Sequence, residues 1–365
     1  MDPIYNYSLC AALPLMLFFG FYFLFARTPE KAIFENYLRS RRIMGAAMLL
    51  LAANYSVHFF MKVRFNDADA AILINLSTYF LCYWLFSSAL TTLLDRNYIT
   101  RRRLLAHMSL WVLYSVISCI VLKLLPEGTA QTVAILALAV LLVVYGLFLT
   151  WRLLRTYHRV IRIFNETHAD DIGAYIKWLS VFTYWAIIFG VGCGLLTFLP
   201  DRYVYIWILM SIPFYIYLFL CYLNYLLFYE QVESAMETYK DKEEDRSESG
   251  PTQETPSYHA EIAERIKGWI NADGYVRTGL TIKDLSEQLH TNRTYLSEYI
   301  NTTYGVSFRD WITGLRIEYA KRLLVQNPKL TLADISERSG FLSPSHFIRL
   351  FKEKAGCTPT KWRKS

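Results

Sequence analysis

The chain has 365 residues, of which 54% are hydrophobic and 16% aromatic, and its formal net charge is +7. This length exceeds one average domain, and the apolar and aromatic fractions are high for a soluble protein. The six cysteines include no pair at metal-ligand spacing, which excludes a cysteine metal site and a disulfide framework. They are expected to be buried free thiols.

Charge divides the chain into three regions. Residues 1–229 contain 18 Lys and Arg against 11 Asp and Glu, residues 230–257 contain 3 against 9, and residues 258–365 contain 17 against 11. The division predicts an apolar first domain with basic loops, an acidic connector, and a basic C-terminal domain.

Seven apolar stretches fill residues 1–229, and each reaches the ~20 residues that cross a hydrocarbon core of about 30 Å. They predict an all-α bundle of seven transmembrane helices. The predicted spans are Ser8–Ala26, Ile43–Met61, Ala70–Leu94, Leu104–Leu125, Thr129–Trp151, Trp178–Leu199 and Tyr203–Tyr229.

Basic residues in the loops predict the orientation of the bundle. The first, third and fifth loops carry 14 Lys and Arg residues, and the alternate loops carry only Lys62, Arg64, Lys123 and Arg202. Because cytoplasmic loops are rich in Lys and Arg, the N-terminus is expected outside and the C-terminus in the cytoplasm. The predicted location is the cytoplasmic membrane.

Polar residues inside the spans have two interpretations. Asn54, His58, Asn75 and Asn224 either form a ligand pocket or switch, or hydrogen-bond between helices and hold the bundle together. The glycines of the GxGxG string at residues 190–194 are expected to allow close helix packing, since no strand precedes them.

The connector is predicted to begin as a helix. Phe228, Val232, either Ala235 or Met236, and Tyr239 recur at spacings of three and four, which indicates that the last span continues past Tyr229. This stalk is either a short coiled coil between two copies or a single solvated helix. Ser247–Ser257 contains two prolines and a glycine and is expected to be a flexible linker.

The C-terminal domain is predicted to contain two similar helix pairs. In the first pair, Thr281 caps a helix ending at Leu289, and after a break at residues 290–292 a second helix starts at Arg293 and ends near Gly305. A longer helix follows over Phe308–Val325, capped by Ser307.

The second pair repeats this pattern about 50 residues later. Thr331 with Asp334 caps a helix over Leu332–Ser339, and Ser343 caps a helix that begins at Pro344 and runs to Ala355. A short helix, a turn and a second helix form a helix-turn-helix unit, which projects its second helix into the DNA major groove. The long helix between the pairs, about 27 Å at 1.5 Å per residue, matches the spacing needed to reach successive grooves.

The end of the chain carries a family resemblance. Gly340–Arg363, with the sequence GFLSPSHFIRLFKEKAGCTPTKWR, resembles the C-terminal signature of the AraC/XylS family of bacterial transcription regulators. Tyr304–Phe308 and Leu315–Leu324 resemble the middle segment of the same domain, and the likeness covers about Ile262 to Arg363. It implies a sequence-specific, DNA-binding transcription regulator in a bacterium.

Two departures from the family pattern qualify what the resemblance implies. Ser286 and Ser336 stand where the family usually has Ala, and both are small enough to preserve packing. The N-terminal half is similar to membrane-anchored members and not to those with a soluble ligand-binding barrel, so no sugar ligand is carried over.

The resemblance also implies which side chains contact DNA. The groove-facing residues implied are Arg293, Thr294, Ser297, Glu298, Ser345, His346 and Arg349. By their chemistry, Arg349 is suited to donate to guanine and Glu298 to accept from the cytosine amino group. Lys352, Lys361 and Arg363 are expected to bind phosphates, which fixes register without reading sequence.

The predicted partners are double-stranded promoter DNA and the lipid bilayer. RNA polymerase, a second copy of the chain, and an unknown small-molecule or envelope signal are further candidates. An alternative interpretation is a transporter or receptor whose basic C-terminal domain binds a protein. An intramembrane enzyme is disfavoured, because the span centres lack paired acids, metal-spaced histidines and a Ser/His pair. No catalytic residue, cofactor or metal is predicted.

Overall fold

The computed structural model describes residues 3–29, 31–170, 173–196, 201–248 and 256–364. The chain forms two compact units, one of Met1–Arg159 with Ile176–Glu230, and one of Val160–Tyr175 with Gln231–Ser365. They are called here the N-terminal and C-terminal units. The described residues form helices and no strand apart from one isolated β-bridge, which confirms the predicted all-α class.

Eight helices cover the described residues of the first part of the chain. Each predicted span lies within one of them or extends at most one residue past its end, except that residues 197–199 of the sixth span lie outside the described residues. A 3-10 turn at Ala32–Phe34 precedes the second helix. The helices are α1 (Pro3–Phe25), α2 (Glu35–Phe60), α3 (Val63–Asn66), α4 (Ala68–Leu94), α5 (Arg101–Leu124), α6 (Thr129–Thr167), α7 (Gly173–Leu196) and α8 (Asp201–Glu248).

Six of these helices are long and apolar enough to cross a membrane within the described residues: α1, α2 with its preceding turn, α4, α5, α6 and α8. The described apolar part of α7, Ile176–Ile188, is shorter than a span. The seventh span therefore stays a prediction.

Helix α6 extends well past the end predicted for the fifth span. The sequence analysis ended that span at Trp151, whereas the helix continues to Thr167. No glycine or proline interrupts this stretch. Leu153, Tyr157 and Phe164 are buried along it at helical spacing, so burial of one face carries the helix onward.

Hydrogen bonds join the polar residues of α2 and α4. Nδ2 of Asn54 donates to Oδ1 of Asn75 at 3.2 Å, and Nε2 of His58 lies 2.9 Å from the same oxygen. These residues hold two helices together, and they also border a small cavity. Both interpretations of the cluster thus stay open, while Asn224 is exposed on α8.

Close packing explains one glycine of the GxGxG string. A Cβ atom added to Gly192 would lie 1.8 Å from the Trp207 ring of α8.

The expected burial of the cysteines is wrong at two positions. Cys10 and Cys119 are exposed on α1 and α5. The outward faces of these helices are apolar, so an apolar thiol can lie there without being buried.

The described residues from Pro256 onward form seven helices of the C-terminal unit, with a 3-10 turn at Gly274–Val276. The helix pairs end within about two residues of their predicted limits, and α9 and α15 are additional. The helices are α9 (Pro256–Asn271), α10 (Ile282–Gln288), α11 (Arg293–Tyr304), α12 (Phe308–Gln326), α13 (Leu332–Arg338), α14 (Pro344–Ala355) and α15 (Pro359–Trp362).

The connector is helical at both of its described ends. Helix α8 runs to Glu248 and so includes residues 230–246, for which the spacing predicts a helix. Helix α9 begins at Pro256. Residues 249–255, the centre of the predicted linker, lie outside the described residues.

Capping fixes where the short helices begin. Oγ1 of Thr281 accepts the Asp284 N–H and the Asp284 carboxylate accepts the Thr281 N–H, which completes a capping box. Thr331 and Asp334 form the same box, and the hydrogen bonds from Thr331 lower the pKa of Asp334. These boxes confirm the predicted starts of both first helices.

Helix α12 supports two hydrophobic cores. Its N-terminal residues, including Ile312, pack with Leu285 and Ile300 of the first helix pair. Its C-terminal residues, including Leu324, pack with Phe351 of the second pair. A single 19-residue helix, about 28 Å long, thus connects both helix-turn-helix units.

The turn of the second unit requires glycine for two reasons. Gly340 has a φ of +78°, and a Cβ added there would lie 2.3 Å from the Val276 carbonyl oxygen. We expect Gly340→Ala to lower the free energy of unfolding of the C-terminal unit by more than about 2 kcal/mol, from conformational strain plus the clash. Temperature-dependent limited proteolysis of the full chain measures this.

Gly356 provides the matched control, because its φ is +74° but nothing lies within 4 Å of an added Cβ. Gly356→Ala should cost only about 1 kcal/mol, the strain alone. Equal losses at the two positions would show that the contact with Val276 has no energetic role.

Candidate nucleic-acid interface

The second helices of the two units are built alike. Both α11 and α14 have 12 residues, and both begin after a side-chain cap, Asn292 or Ser343. Each ends at a glycine in the left-handed conformation, Gly305 or Gly356. Equivalent positions in α11 and α14 therefore differ by 51 residues. Equivalent positions in α10 and α13 differ by 50, because the turn between α13 and α14 is one residue longer than the turn between α10 and α11.

Helix α14 has a buried face and an opposite exposed face. Phe347, Leu350 and Phe351 are buried in the second core. Ser345 and Arg349 are exposed, and they lie about 160° and 200° around the helix from Phe347. Exposed Lys352 lies near the same direction. Three of the predicted DNA contacts thus share one outward face, here called the α14 reading face: Ser345, Arg349 and Lys352.

Helix α11 presents an equivalent surface. Leu296, Tyr299 and Ile300 are buried, and Thr294 and Glu298 lie opposite them. Glu298 occupies the position that Arg349 has in α14, and Thr294 that of Ser345. Ser297 and Arg293 lie at the flanks of this face and are half-buried.

One residue of the α11 surface was missed by sequence reasoning. Asn301 is exposed and is equivalent to Lys352 in α14. Its amide suits adenine, whose N6 and N7 atoms form a matching donor and acceptor pair. The 51-residue offset between the second helices is the signal that finds it. The α11 reading face therefore consists of Thr294, Glu298 and Asn301.

His346 lies beside the α14 reading face and not on it. Its ring is half-buried and meets the Phe341 ring edge-on, with centroids 6.2 Å apart. Its backbone N–H donates to the Ser343 hydroxyl at 3.3 Å. Packing against the turn of the second unit is what the structure shows for this residue.

Two of the basic residues near the C-terminus, both predicted to bind phosphate, have different surroundings. Lys361 is exposed in the first turn of α15. Arg363 is half-buried, and its Nη2 donates to the Leu330 carbonyl at 2.8 Å. Arg363 thus fastens α15 to the connection before α13, whereas Lys361 is available to solvent and to phosphate.

The described residues contain no group of three His, Cys, Asp or Glu side chains placed to hold a metal ion. In the N-terminal unit, a separate open cavity has a mainly apolar lining. Hydroxyls of Tyr55, Ser87, Thr183 and Ser211 are among its polar groups. Such a lining suits a small apolar ligand with a few polar atoms.

Residues 285–365 match the family described as a helix-turn-helix domain. The virulence regulon transcriptional activator VirF of Yersinia enterocolitica is 35% identical over 100 residues, which are 27% of this chain and 36% of that protein. The regulator ExsA of Pseudomonas aeruginosa is 37% identical over 82 residues, 22% of this chain and 29% of that protein. The match thus spans about a third of the length of these relatives.

Two solved structures are similar to the C-terminal part of the chain. One is the C-terminal domain of AraT, a response regulator from Geobacillus stearothermophilus, with 28% identity, 31% of this chain, 88% of that chain and a TM-score of 0.27. The other is the C-terminal domain of the response regulator yesN from Fusobacterium nucleatum, with 33% identity, 28% of this chain, 96% of that chain and a TM-score of 0.26.

The contrast between Lys361 and Arg363 gives a test of their roles. Lys361→Ala should reduce the slope of log affinity for DNA against log salt concentration by about 0.9, the effect of one lost phosphate contact. Arg363→Ala should leave that slope unchanged and lower the melting temperature of the C-terminal unit, since it breaks the bond to Leu330. A reduced slope in both variants would assign both residues to phosphate.

Proposed function

We propose that this protein is a sequence-specific DNA-binding transcription regulator held in the bacterial cytoplasmic membrane. The observation that carries the proposal is the pair of equivalent reading faces on α11 and α14. Both helices lie within residues 285–365, which match a helix-turn-helix family, and the chain is 35% identical to a transcriptional activator over 100 residues. The residues of the two faces are exposed, apart from half-buried Thr294. The opposite face of each helix is anchored in a core.

The chemistry of the reading faces supports readout of base edges. Arg349 offers a planar set of donors suited to guanine O6 and N7, and Glu298 offers acceptors suited to the cytosine amino group. Because these two residues occupy equivalent positions, the two units are expected to prefer different bases. The proposed binding site is therefore two unlike elements, one for each unit, and not an inverted repeat.

Exposed apolar side chains support the membrane location. Leu113 of α5 and Val133, Val140 and Val144 of α6 are all more than 49% exposed on outward faces. Continuous apolar faces of this length are not stable in water and suit the hydrocarbon core of a bilayer. With the 14 against 4 division of loop charges, they favour a cytoplasmic C-terminus.

Signal coupling is part of the proposal. The open cavity in the N-terminal unit suits a small apolar ligand, and the spacing of apolar residues in the stalk sequence suits pairing with a second copy. RNA polymerase is the expected partner once the regulator is bound at a promoter. A transcription assay with the full-length protein decides whether the membrane helices sense a signal or only anchor the chain. If adding extracted membrane lipids and solutes changes promoter activity, the helices sense; if promoter activity stays the same, they only anchor.

The decisive substitution for DNA reading is Arg349→Ala. It should weaken binding to the specific site by ~1–3 kcal/mol and relax the preference at one base pair. Binding of full-length protein in detergent to footprinted promoter fragments measures both effects. Lys329→Ala, at an exposed position before α13, removes the same charge and should leave base preference intact. An unchanged footprint with Arg349→Ala would reject the proposed reading role.

Orientation is tested by reporter fusions. A reporter active only in the cytoplasm should work when fused after Asn97 or at the C-terminus. A reporter active only outside should work when fused after Glu127, in the connection between α5 and α6. The opposite pattern would place the reading faces away from DNA and exclude the proposed function.

A further inference from the structure

The C-terminal unit includes a segment from far earlier in the chain. Residues 160–175 belong to it, although they comprise the end of α6, the start of α7 and the residues between the two helices. The N–H of Ala169 donates to the Leu280 carbonyl at 3.0 Å, and His168 forms an antiparallel bridge with Thr281. Ala169 is buried in the core of the first helix-turn-helix unit. Asn165–Asp170 is called here the docking segment.

An ion pair anchors the docking segment. Oδ1 of Asp170 lies 2.9 Å from Nη1 of Arg316, and the side chains are only 7% and 1% exposed. Oδ2 of Asp170 accepts the Gly279 N–H at 2.9 Å. Farther out, Nη1 of Arg309 donates to Oδ1 of Asn165 at 2.8 Å. Both carboxylate oxygens are therefore bound to groups of the DNA-binding domain.

Arg316 lies where the two helix-turn-helix units meet. It stands in α12 between Ile312, which belongs to the first core, and Ile317, which belongs to the second. Its Nε donates to the Tyr275 carbonyl at 2.8 Å and its Nη2 to the Arg277 carbonyl at 2.7 Å. Burial lowers the pKa of the guanidinium, and the Asp170 carboxylate opposes this shift.

The same guanidinium also reaches the turn of the second unit. Its Cζ lies 5.9 Å from the centroid of the Phe341 ring, and Nε would lie 3.1 Å from a Cβ added to Gly340. The position of Arg316 is therefore coupled to the turn that precedes the α14 reading face.

We infer that the docking segment is a regulatory element which, by pairing Asp170 with Arg316, holds the two helix-turn-helix units in the arrangement that binds DNA. This inference rests on the proposed function. The docking segment continues directly from α6 and leads within a few residues into α7. Movement of either helix is thereby transmitted to Arg316, since withdrawing Asp170 leaves a buried charge without its counter-ion.

The docked state is compatible with DNA binding. The contacts of the docking segment are with the loop before α10, the start of α10, and α12. None of the described contacts of Asp170 or Ala169 involves Glu298, Arg349 or another residue of the two reading faces. The docking segment therefore stabilises the arrangement that binds DNA and does not block the DNA-binding surface.

The test uses full-length protein in detergent micelles or lipid nanodiscs. Asp170→Asn should reduce affinity for the specific DNA site by about tenfold or more, and so should Arg316→Met. The double variant Asp170→Asn/Arg316→Met should recover much of the loss, because no charge is then buried alone. Glu166→Gln is the matched control: this half-exposed carboxylate forms no ion pair with any described residue, and its loss should leave affinity unchanged.

Hydrogen–deuterium exchange supplies a readout that does not depend on DNA. In Asp170→Asn, the amides of Ala169 and Gly279 should exchange faster, while those of the α14 core should stay protected. Faster exchange throughout the unit would indicate general unfolding and overturn the proposed support role, as would wild-type affinity in Asp170→Asn. Arg349→Ala separates the two ideas. If it weakens specific binding and Asp170→Asn does not, the docking inference alone fails; if Arg349→Ala has no effect, the proposed function fails.

Discussion

The buried guanidinium of Arg316 is the constraint on which the C-terminal unit depends. A charge taken out of water is stable only when its hydrogen-bonding groups are satisfied, and the three nitrogens of Arg316 bind Asp170 and two backbone carbonyls. These partners come from two parts of the chain, and Arg316 itself lies in a third. A single side chain therefore fixes the docking segment, the loop before α10 and the central helix α12 against each other.

That constraint gives the two helix-turn-helix units a defined relationship. Without it, α12 would still connect two cores, but the turn at Gly340 would lose the surface against which it packs. The requirement for glycine there and the burial of Arg316 are two aspects of one close contact, since the Val276 carbonyl and the guanidinium both border the same Cα. Specific recognition by two unlike reading faces needs such a fixed geometry, because each face alone covers few base pairs.

Local features of the C-terminal domain could be predicted from the sequence. Helix caps involve residues no more than four positions apart, so they can be predicted from the sequence. This holds for the capping boxes at Thr281 and Thr331, the cap at Ser343 and the terminating Gly356. The outward face of α14 also follows from helical spacing. In contrast, Asn301 was found only after the caps of α11 and α14 fixed the 51-residue offset between the second helices.

Features that depend on distant contacts could not be predicted. The partner of Arg316 lies 146 residues earlier, in a stretch assigned from charge to a loop between spans. Helix α6 runs on to Thr167 because burial of one side extends it, and the charge pattern alone gives no sign of that burial. The half-buried state of Arg363 likewise depends on the Leu330 carbonyl, 33 residues away. From the sequence alone, a basic residue in a basic domain is predicted to bind phosphate, because its hydrogen-bond partner within the protein is not visible there.

The course of the chain has a consequence for how a membrane regulator of this kind would work. The C-terminal unit is joined to the N-terminal unit at three points of the chain, at residues 159–160, 175–176 and 230–231. If the DNA-binding domain were joined to the membrane helices only by one flexible linker, movements of the helices would not reach it, because a flexible chain transmits little force or torque. Here the docking segment continues from a helix that is also a proposed membrane span, so a rotation or shift of that helix changes the environment of Arg316 directly. The energetic asymmetry of the ion pair then sets the direction of the response: the paired state is tolerated, whereas the separated state leaves a buried charge without its counter-ion.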